Sequence, residues 1–316
     1  MDKIQTWIQT TPYKDYVLSI ASADASFRKY YRLTKEKETR IIMDSSLELE
    51  SLSPFINVTA RLLNAGVKAP QILEKNEKYG YLILEDFGNI QLLDVLKSSN
   101  FKTHYKNAID EILKMQNAES QSLPVYDKVF LHFEMDLMQE WYLEKNLSLS
   151  LNKEEKELIK DTLNSISELV LQQPQDVFVH RDFHSRNIML TPQDEIAIID
   201  YQDAMTGPIT YDLVSLLKDC YIEFKRADIE GLALYFRDKQ ALRVSDEVFI
   251  KWFDFTGLQR HIKVLGIFSR LHLRDKKDGY LKDIPLVLKY IIETALRYEE
   301  TKEFAHFLQK LNKSTI

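Results

Sequence analysis

The apolar positions of the first ninety residues alternate with polar ones in short runs that are separated by polar turns. An N-terminal helix is predicted first, because Ile4, Trp7 and Ile8 share one helical face. A first strand and then further alternating runs predict a five-stranded sheet with one helix inserted. The later strands are expected at 27–34, 40–44, 71–73 and 79–84, and the inserted helix at 54–64. The chain therefore begins with a small antiparallel sheet.

The chain from residue 91 onward has helical periodicity almost throughout. Helices are predicted over 91–97, 101–118, 134–145, 153–171, 212–224, 229–238, 246–273 and 284–307. The segment Glu-Asp-Phe-Gly-Asn at 85–89 fits neither pattern, and we place a lobe boundary there. This division predicts an N-terminal lobe over 1–87 and a larger, mainly helical C-terminal lobe over 88–316.

A polar loop lies between two apolar, strand-like runs at 177–179 and 196–199. The loop carries Asp182 and, five residues on, Asn187, while the second run ends at Asp200. Phosphoryl transfer from a magnesium nucleotide needs one carboxylate to orient the attacking hydroxyl and accept its proton. It also needs an amide and a second carboxylate to hold the metal. We therefore predict a small-molecule kinase of α+β class with a protein-kinase-like, two-lobe fold.

The same loop permits a rival interpretation. His180, Asp182 and His184 form an H-x-D-x-H pattern that, with Asp200, could hold a transition metal in a hydrolase. Such sites usually recruit further histidines, whereas this chain has only seven, and the pattern leaves Asn187 without a role. Phosphoryl transfer explains more of the loop.

Four cations share one face of the helix predicted over 246–273 and just beyond it, at spacings of three, seven and four residues. They are Arg260, Lys263, Arg270 and Arg274. Such a face is either merely solvated or part of an acceptor pocket, because arginine can bind a carboxylate through two parallel hydrogen bonds. The second interpretation favours a neutral or anionic acceptor over a polycation. The candidate substrate-binding residues are Asp203, Gln259, Arg260, His261 and Arg270.

Composition restricts the possible partners and the compartment. The formal net charge of −6 gives no electrostatic reason to expect nucleic acid or a membrane surface as partner, so a small molecule is expected. The single cysteine, Cys220, suits a reducing compartment. The first residues lack a signal-peptide core, and no apolar run approaches the roughly 20 residues needed to cross a bilayer. A cytoplasmic location is expected.

Two long stretches carry a family resemblance. HRDFHSRNIML at 180–190 and IIDYQDAMTGPITYDLVSLL at 198–217 resemble the aminoglycoside phosphotransferase/choline kinase superfamily. Three others are similar to its bacterial anomeric N-acetylmuramate/N-acetylglucosamine kinases of cell-wall recycling: DASFRKYYRL at 24–33, MDSS at 43–46 and TGLQRHIKVLGIFSRLHLRD at 256–275. The resemblance implies ATP-dependent phosphorylation of a sugar C1 hydroxyl with Mg²⁺. It also implies that Asp182 is the base and that Asn187 and Asp200 are metal ligands.

The same resemblance implies where the nucleotide binds. Asp24, Ser26, Phe27 and Arg28 fall in the phosphate loop, and Glu85 and Phe87 fall at the adenine hinge. The small, polar residues at 22–26 suit a phosphate loop, in which backbone N–H groups approach phosphate oxygens. They suit an ordinary hairpin turn equally well.

One position departs from the family pattern. Kinase-like folds normally carry a lysine on the third strand, and this chain has Met43 there. Arg28 or Lys29 could replace the lysine, or the metal and the backbone could hold the phosphates. The remaining alternatives are a kinase of another acceptor (an aminoglycoside, a choline-like alcohol or an amino acid) and a nucleotide-binding pseudokinase.

Overall fold

Antiparallel strands dominate the first part of the chain. The computed structural model describes residues 2–22 and 28–314. Its first elements are α1 (Asp2–Ile8), β1 (Val17–Ser22), β2 (Lys29–Lys35), β3 (Glu38–Asp44), α2 (Leu52–Asn64), β4 (Ile72–Asn76) and β5 (Tyr81–Glu85). The strands form one antiparallel sheet in the order β1-β2-β3-β5-β4.

Helices dominate the rest of the chain. The helices are α3 (Leu92–Val95), α4 (Phe101–Met115), α5 (Lys128–Leu137), α6 (Lys153–Val170), α7 (Tyr211–Leu217), α8 (Arg226–Lys239), α9 (Asp246–Leu273), α10 (Ile284–Ala295) and α11 (Lys302–Ser314). A π-helical segment, Met138–Asn146, continues α5. Four short strands accompany them: β6 (Val177–Val179), β7 (Ile188–Leu190), β8 (Ile196–Ile198) and β9 (Met205–Gly207). β6 pairs with β9, and β7 pairs with β8.

The chain divides into two compact units that each combine separate segments. The first unit contains the residues up to Val95 together with Arg186–Ala204, so the β7–β8 hairpin belongs with the five-stranded sheet. The second unit contains Leu96–Ser185 together with the residues from Met205 onward. The lobe boundary predicted after residue 87 stays a prediction.

Each unit has an apolar core of its own. In the first, Tyr31 and Leu33 of β2 alternate with partly buried positions and pack with Ile42 of β3 and with Ile4 and Ile8 of α1. In the second, α9 packs against α5, α6, α7, α8 and α10, which explains why most of its 28 residues are buried. Within the described residues, no helix combines the length and the apolar character needed to cross a membrane.

The α+β, kinase-like fold class predicted from the sequence is confirmed, whereas several helix predictions are wrong in extent. The helix expected at 212–224 ends at Leu217, because Lys218 already leaves the helical conformation. The helix expected at 134–145 begins at Lys128, because the side chain of Asp127 accepts a hydrogen bond from the N–H of Phe130 and caps it. The helix expected at 284–307 is two helices, α10 and α11. The Thr301 hydroxyl donates to the Ala295 carbonyl at 2.9 Å, in the turn that separates them.

The packing of α9 against α5 yields a stability prediction. A Cβ atom added at Gly266 would lie 2.4 Å from the carbonyl carbon of Leu137, which is backbone and cannot move aside. We expect Gly266→Ala to lower the free energy of unfolding by about 2–3 kcal/mol. Gly231 of α8 is the control, since a Cβ there meets nothing within 4 Å and should stabilise by about 1 kcal/mol. Urea denaturation measures both, and an equal effect of the two substitutions would contradict the packing account.

Candidate active site

The loop that follows β6 is held by a buried carboxylate. Asp212, in the first turn of α7, accepts hydrogen bonds from the N–H groups of His180 (2.7 Å) and Arg181 (3.0 Å). Arg181 has a φ of 77°, in the left-handed region that residues other than glycine seldom adopt. Burial raises the pKa of Asp212 to about 6, although the two N–H groups and His180 oppose the rise. Asp212 therefore fixes the backbone immediately before Asp182.

Asp182 is accessible and negatively charged. Its side chain is 44% exposed, and its Oδ1 lies 3.9 Å from Nη2 of Arg260. Burial of the surrounding loop acts to raise the pKa of Asp182, but the positive charges of Lys263, Arg260 and Arg181 outweigh that effect and hold it well below the usual range. The side chain is therefore ionised at neutral pH and can accept a hydrogen bond.

A second buried carboxylate, Glu134 of α5, gathers the cations behind the loop. Its oxygens accept hydrogen bonds from Arg181 (2.6 Å), Gln259 (3.1 Å) and the hydroxyl of Tyr126, and Lys263 lies 2.8 Å away. Burial acts to raise the pKa of Glu134, but Lys263 and Arg181 lower it overall. Glu134 thereby ties α5 and α9 to the side chain of the strained residue next to Asp182.

The far end of the loop is fixed in the same way. Asp219 accepts hydrogen bonds from the N–H (2.9 Å) and the hydroxyl of Ser185, and from the N–H of Tyr221 (3.1 Å). His184 packs edge to face on the ring of Tyr221, with centroids 5.3 Å apart. Burial lowers the pKa of His184 to about 4, so its imidazole is neutral at neutral pH. Carboxylates thus hold both ends of the loop that presents Asp182.

The predicted basic face of α9 does not behave as one surface. Arg260 and Lys263 are buried, and Arg270 is half-buried. Gln259 donates to Glu134, while Nε2 of His261 lies 2.9 Å from the carbonyl oxygen of Lys218. Burial lowers the pKa of His261 to about 3. A solvated face is therefore excluded for Arg260 and Lys263, whereas the predicted substrate contacts of Gln259, Arg260, His261 and Arg270 stay predictions.

In the first unit, the side chains of Asn187 and Asp200 lie together. The amide nitrogen of Asn187 is 3.4 Å from Oδ2 of Asp200, and Gln202 donates to Asp200 (3.1 Å) and to Asp203 (3.2 Å). Both carboxylates are exposed, and Asp200 has a φ of 65°. Carboxylate and amide oxygens are the hard donors that Mg²⁺ prefers, with water and phosphate completing the shell. The donor set of Asn187 and Asp200 therefore fits magnesium.

The residue after Asp200 anchors this turn to α2. Tyr201 is buried, its ring stacks on Phe55 at 5.2 Å, and its hydroxyl lies 2.8 Å from Oγ1 of Thr59. These contacts hold the backbone next to the left-handed conformation of Asp200.

The segment after β5 is rigidly built. Asp86 accepts two hydrogen bonds from Arg32, at 2.7 and 3.1 Å, and one from the N–H of Gly88 at 2.8 Å. Gly88 has a φ of 88°, which suits glycine.

Phe87 packs with Met189 and Ala197 of the β7–β8 hairpin. Phe87 thus lies in an apolar cluster. Glu85, at the end of β5, donates its N–H to the carbonyl of Gln71 at 2.9 Å. The predicted adenine hinge at Glu85 and Phe87 stays a prediction.

Met43, the residue predicted at the position of the family's lysine, lies within the sheet. Met43 is fully buried on β3, between Tyr30 of β2 and Leu82 of β5. Arg28 is buried just before β2, with its Nε 3.3 Å from the Ser51 hydroxyl. The other predicted phosphate-loop residues, Asp24, Ser26 and Phe27, lie outside the described residues.

The rival metal-hydrolase site finds no support in the part of the chain that the structure describes. No three His, Cys, Asp or Glu side chains gather there in an arrangement that could hold a metal ion. Nδ1 of His180 instead accepts a hydrogen bond from the N–H of Asp182 at 3.3 Å.

The roles of Glu134 and Asp219 were not predicted from the sequence. Glu134 had a usable signal, since it shares a helical face with Leu131 and Met138, both buried. An acid on an apolar face implies a buried cationic partner. Asp219 had no comparable signal, because its partner Ser185 is an ordinary loop residue.

Comparison with known proteins identifies the class. Residues 17–244 match the model of the phosphotransferase enzyme family, so the chain belongs to that family and is a phosphotransferase. The predicted family and enzyme class are confirmed.

Two relatives and two structures define the comparison further. The N-acetylmuramate/N-acetylglucosamine kinase of Neisseria meningitidis serogroup B is 36% identical over 310 residues, covering 94% of this chain and 92% of that protein. The kinase of that name from Pseudomonas aeruginosa is 35% identical, covering 92% and 87%. A choline kinase from Streptococcus pneumoniae shares the fold, with a TM-score of 0.66, 12% identity and coverage of 92% and 98%. An ADP-bound aminoglycoside phosphotransferase has a TM-score of 0.64, 15% identity and coverage of 93% and 98%.

The charge arrangement around Glu134 predicts that Glu134 and Lys263 are strongly coupled in the free energy of unfolding. Glu134→Gln leaves two cations without their carboxylate in the interior, so we expect a loss of about 3–5 kcal/mol in the free energy of unfolding. Lys263→Met removes one of those cations. In urea denaturation, the loss in the double variant should fall short of the sum of the single losses by at least about 1 kcal/mol. Additive losses would show that the two groups do not stabilise each other.

Proposed function

We propose that this phosphotransferase transfers the γ-phosphoryl group of ATP to the anomeric C1 hydroxyl of N-acetylmuramate or N-acetylglucosamine. The observation that carries this proposal is the similarity to kinases of that name, at 35–36% identity over more than nine-tenths of the chain. The chemistry around Asp182 is consistent with it, as follows.

Asp182 would act on the acceptor. Its carboxylate is exposed and ionised, so it can accept a hydrogen bond from the C1 hydroxyl and orient the oxygen for attack. Because cations lower its pKa, Asp182 is a weak base. A hemiacetal hydroxyl is more acidic than an ordinary alcohol and therefore needs less help from the base. The electrostatics of Asp182 thus suit an anomeric acceptor.

The first unit would supply the nucleotide contacts. Asn187 and Asp200 would hold Mg²⁺, which offsets negative charge on the transferred phosphates when bound. The adenine ring would lie against the apolar cluster of Phe87, Met189 and Ala197, next to the predicted hinge at Glu85 and Phe87. The bidentate Arg32–Asp86 pair keeps that backbone in place.

Arg28 is our candidate for the cation that replaces the third-strand lysine. Lys29 pairs with Asp44 in the sheet register, so its side chain points to the face opposite that of Met43. Lys29 is also exposed, whereas Arg28 is buried and partly fixed by Ser51. The strand register therefore favours Arg28 over Lys29.

The function is tested by an acceptor panel with ATP: N-acetylmuramate, N-acetylglucosamine, kanamycin and choline. We expect ADP release with the two sugars alone, and a sugar 1-phosphate as product by ³¹P NMR. Asp182→Asn should lower kcat by about 10²–10⁴-fold, because the base is lost, while ATP binding is retained. ADP release with kanamycin or choline instead would point to another acceptor class. ATP binding without turnover of any acceptor would favour a pseudokinase. That alternative is suggested by Met43, which stands where the family pattern predicts a lysine.

The role of Arg28 has a test with a matched neighbour. Arg28→Gln should raise the KM for ATP by about 10–100-fold, because a charge-assisted hydrogen bond to phosphate is lost. Lys29→Gln, one residue on, should leave that KM unchanged. Thermal unfolding of both variants separates a loss of fold from a loss of binding. The assignment fails if the two KM values are alike in folded variants.

A further inference from the structure

Arg260 is an exception among the buried cations of the second unit. Within the described residues of that unit, three cationic side chains are buried: Lys218, Arg260 and Lys263. Lys218 lies 2.8 Å from the carboxylate of Asp254, and Lys263 lies 2.8 Å from that of Glu134. Arg260 has its nearest carboxylate, Asp182, at 3.9 Å, beyond hydrogen-bond distance.

The remaining donors of Arg260 are poorly used. Nη1 donates to the thiol sulfur of Cys220 at 3.4 Å, which is a weak interaction, and Nε is buried without a partner among the described residues. A buried guanidinium without a hydrogen-bonded carboxylate is costly, because charge removed from water needs compensation. A fold retains such a group most readily where a ligand supplies the missing acceptor.

The distance between Arg260 and Asp182 defines where that acceptor fits. One oxygen can lie about 2.7 Å from Oδ1 of Asp182 and about 2.9 Å from Nη2 of Arg260, because those two atoms are 3.9 Å apart. The two hydrogen bonds then meet at that oxygen at roughly 90°. An acceptor hydroxyl would thus donate its proton to Asp182 while receiving a hydrogen bond from Arg260.

We propose that Arg260 is a catalytic residue that donates a hydrogen bond from Nη2 to the attacking oxygen of the acceptor and stabilises the negative charge that develops there. This inference rests on the proposed function and deepens it. In the step, the hydroxyl proton passes to the Asp182 carboxylate as the oxygen–phosphorus bond forms. The bond between the γ-phosphorus and the β–γ bridging oxygen breaks, and its electron pair leaves with ADP.

The arrangement selects acceptors by acidity. A donor that binds the attacking oxygen helps most when that oxygen carries substantial negative charge in the transition state. Lys263 and Arg181 cannot serve in the same way, because Glu134 engages both. The pair of Arg260 and Asp182 therefore favours a hydroxyl that ionises readily, such as an anomeric one, over an ordinary alcohol.

The test compares Arg260→Ala with Lys251→Gln, a control on the same helix whose lysine pairs with Glu300 near the surface. Two acceptors are used, N-acetylglucosamine and N-trifluoroacetylglucosamine, whose electron-withdrawing substituent makes the anomeric hydroxyl more acidic. We expect Arg260→Ala to lower kcat by about 10²–10³-fold with N-acetylglucosamine, as for loss of a donor to a developing oxyanion. The loss should be smaller with the more acidic acceptor, and added guanidinium should restore part of kcat. Lys251→Gln should show none of these effects.

Several outcomes overturn the inference. One is an unchanged kcat in Arg260→Ala. Another is an equal loss of kcat with both acceptors and no rescue by guanidinium, because that result would place Arg260 at the phosphoryl group or in a structural role. Thermal unfolding checks the fold, and if the alanine variant fails to fold, Arg260→Lys carries the same acceptor comparison. A wild-type enzyme inactive with both sugars would instead refute the proposed function. An active wild type with an equally active Arg260→Ala refutes this inference alone.

Discussion

The buried carboxylate of Glu134 is the interaction on which the loop around Asp182 depends. It lies in the apolar core of the second unit, yet it compensates Lys263 of α9 and Arg181 of the loop before Asp182. Arg181 occupies a left-handed conformation that costs free energy, so the loop needs external support. Glu134 supplies that support through the side chain, and Asp212 supplies it through the backbone. The position of Asp182 is therefore set by two buried carboxylates, Glu134 and Asp212, that hold the residues before it.

The first unit differs from the corresponding part of a protein kinase in one charged pair. In those enzymes a lysine on the third strand pairs with a glutamate on the neighbouring helix. Here β3 carries no lysine, with Met43 at the position predicted for it, and α2 carries no acidic residue. The two elements therefore cannot form a lysine–glutamate pair. Tyr201 links α2 to the turn that bears Asp200, through a stacked ring and a hydroxyl contact with Thr59. Tyr201 therefore connects α2 to this turn by aromatic packing and a hydroxyl contact rather than by an ion pair.

The sequence predicted the fold class and the family well because both depend on local signals. Strand alternation marked the sheet, and the stretches at 180–190 and 198–217 carried the family resemblance. The roles predicted for Asp182, Asn187 and Asp200 stay predictions. The basic face of α9 was less predictable, because periodicity shows which residues share a face but not what the face meets. Arg260 and Lys263 are buried beside Asp182 and Glu134. Because these partners lie far away in the chain, periodicity could not indicate the burial. Helix ends such as the turn between α10 and α11 depend on single side-chain hydrogen bonds that periodicity does not register.

The two units interleave along the chain, and this has a consequence for exchanging parts between relatives. The segment Arg186–Ala204 carries Asn187 and Asp200 but packs with the sheet near the start of the chain. A chimaera made at one crossover point would combine the sheet of one parent with the β7–β8 hairpin of another. Two crossovers, one on each side of that segment, are needed in addition to the one near Val95 to transfer the whole unit. The two segments of the first unit therefore have to be exchanged together.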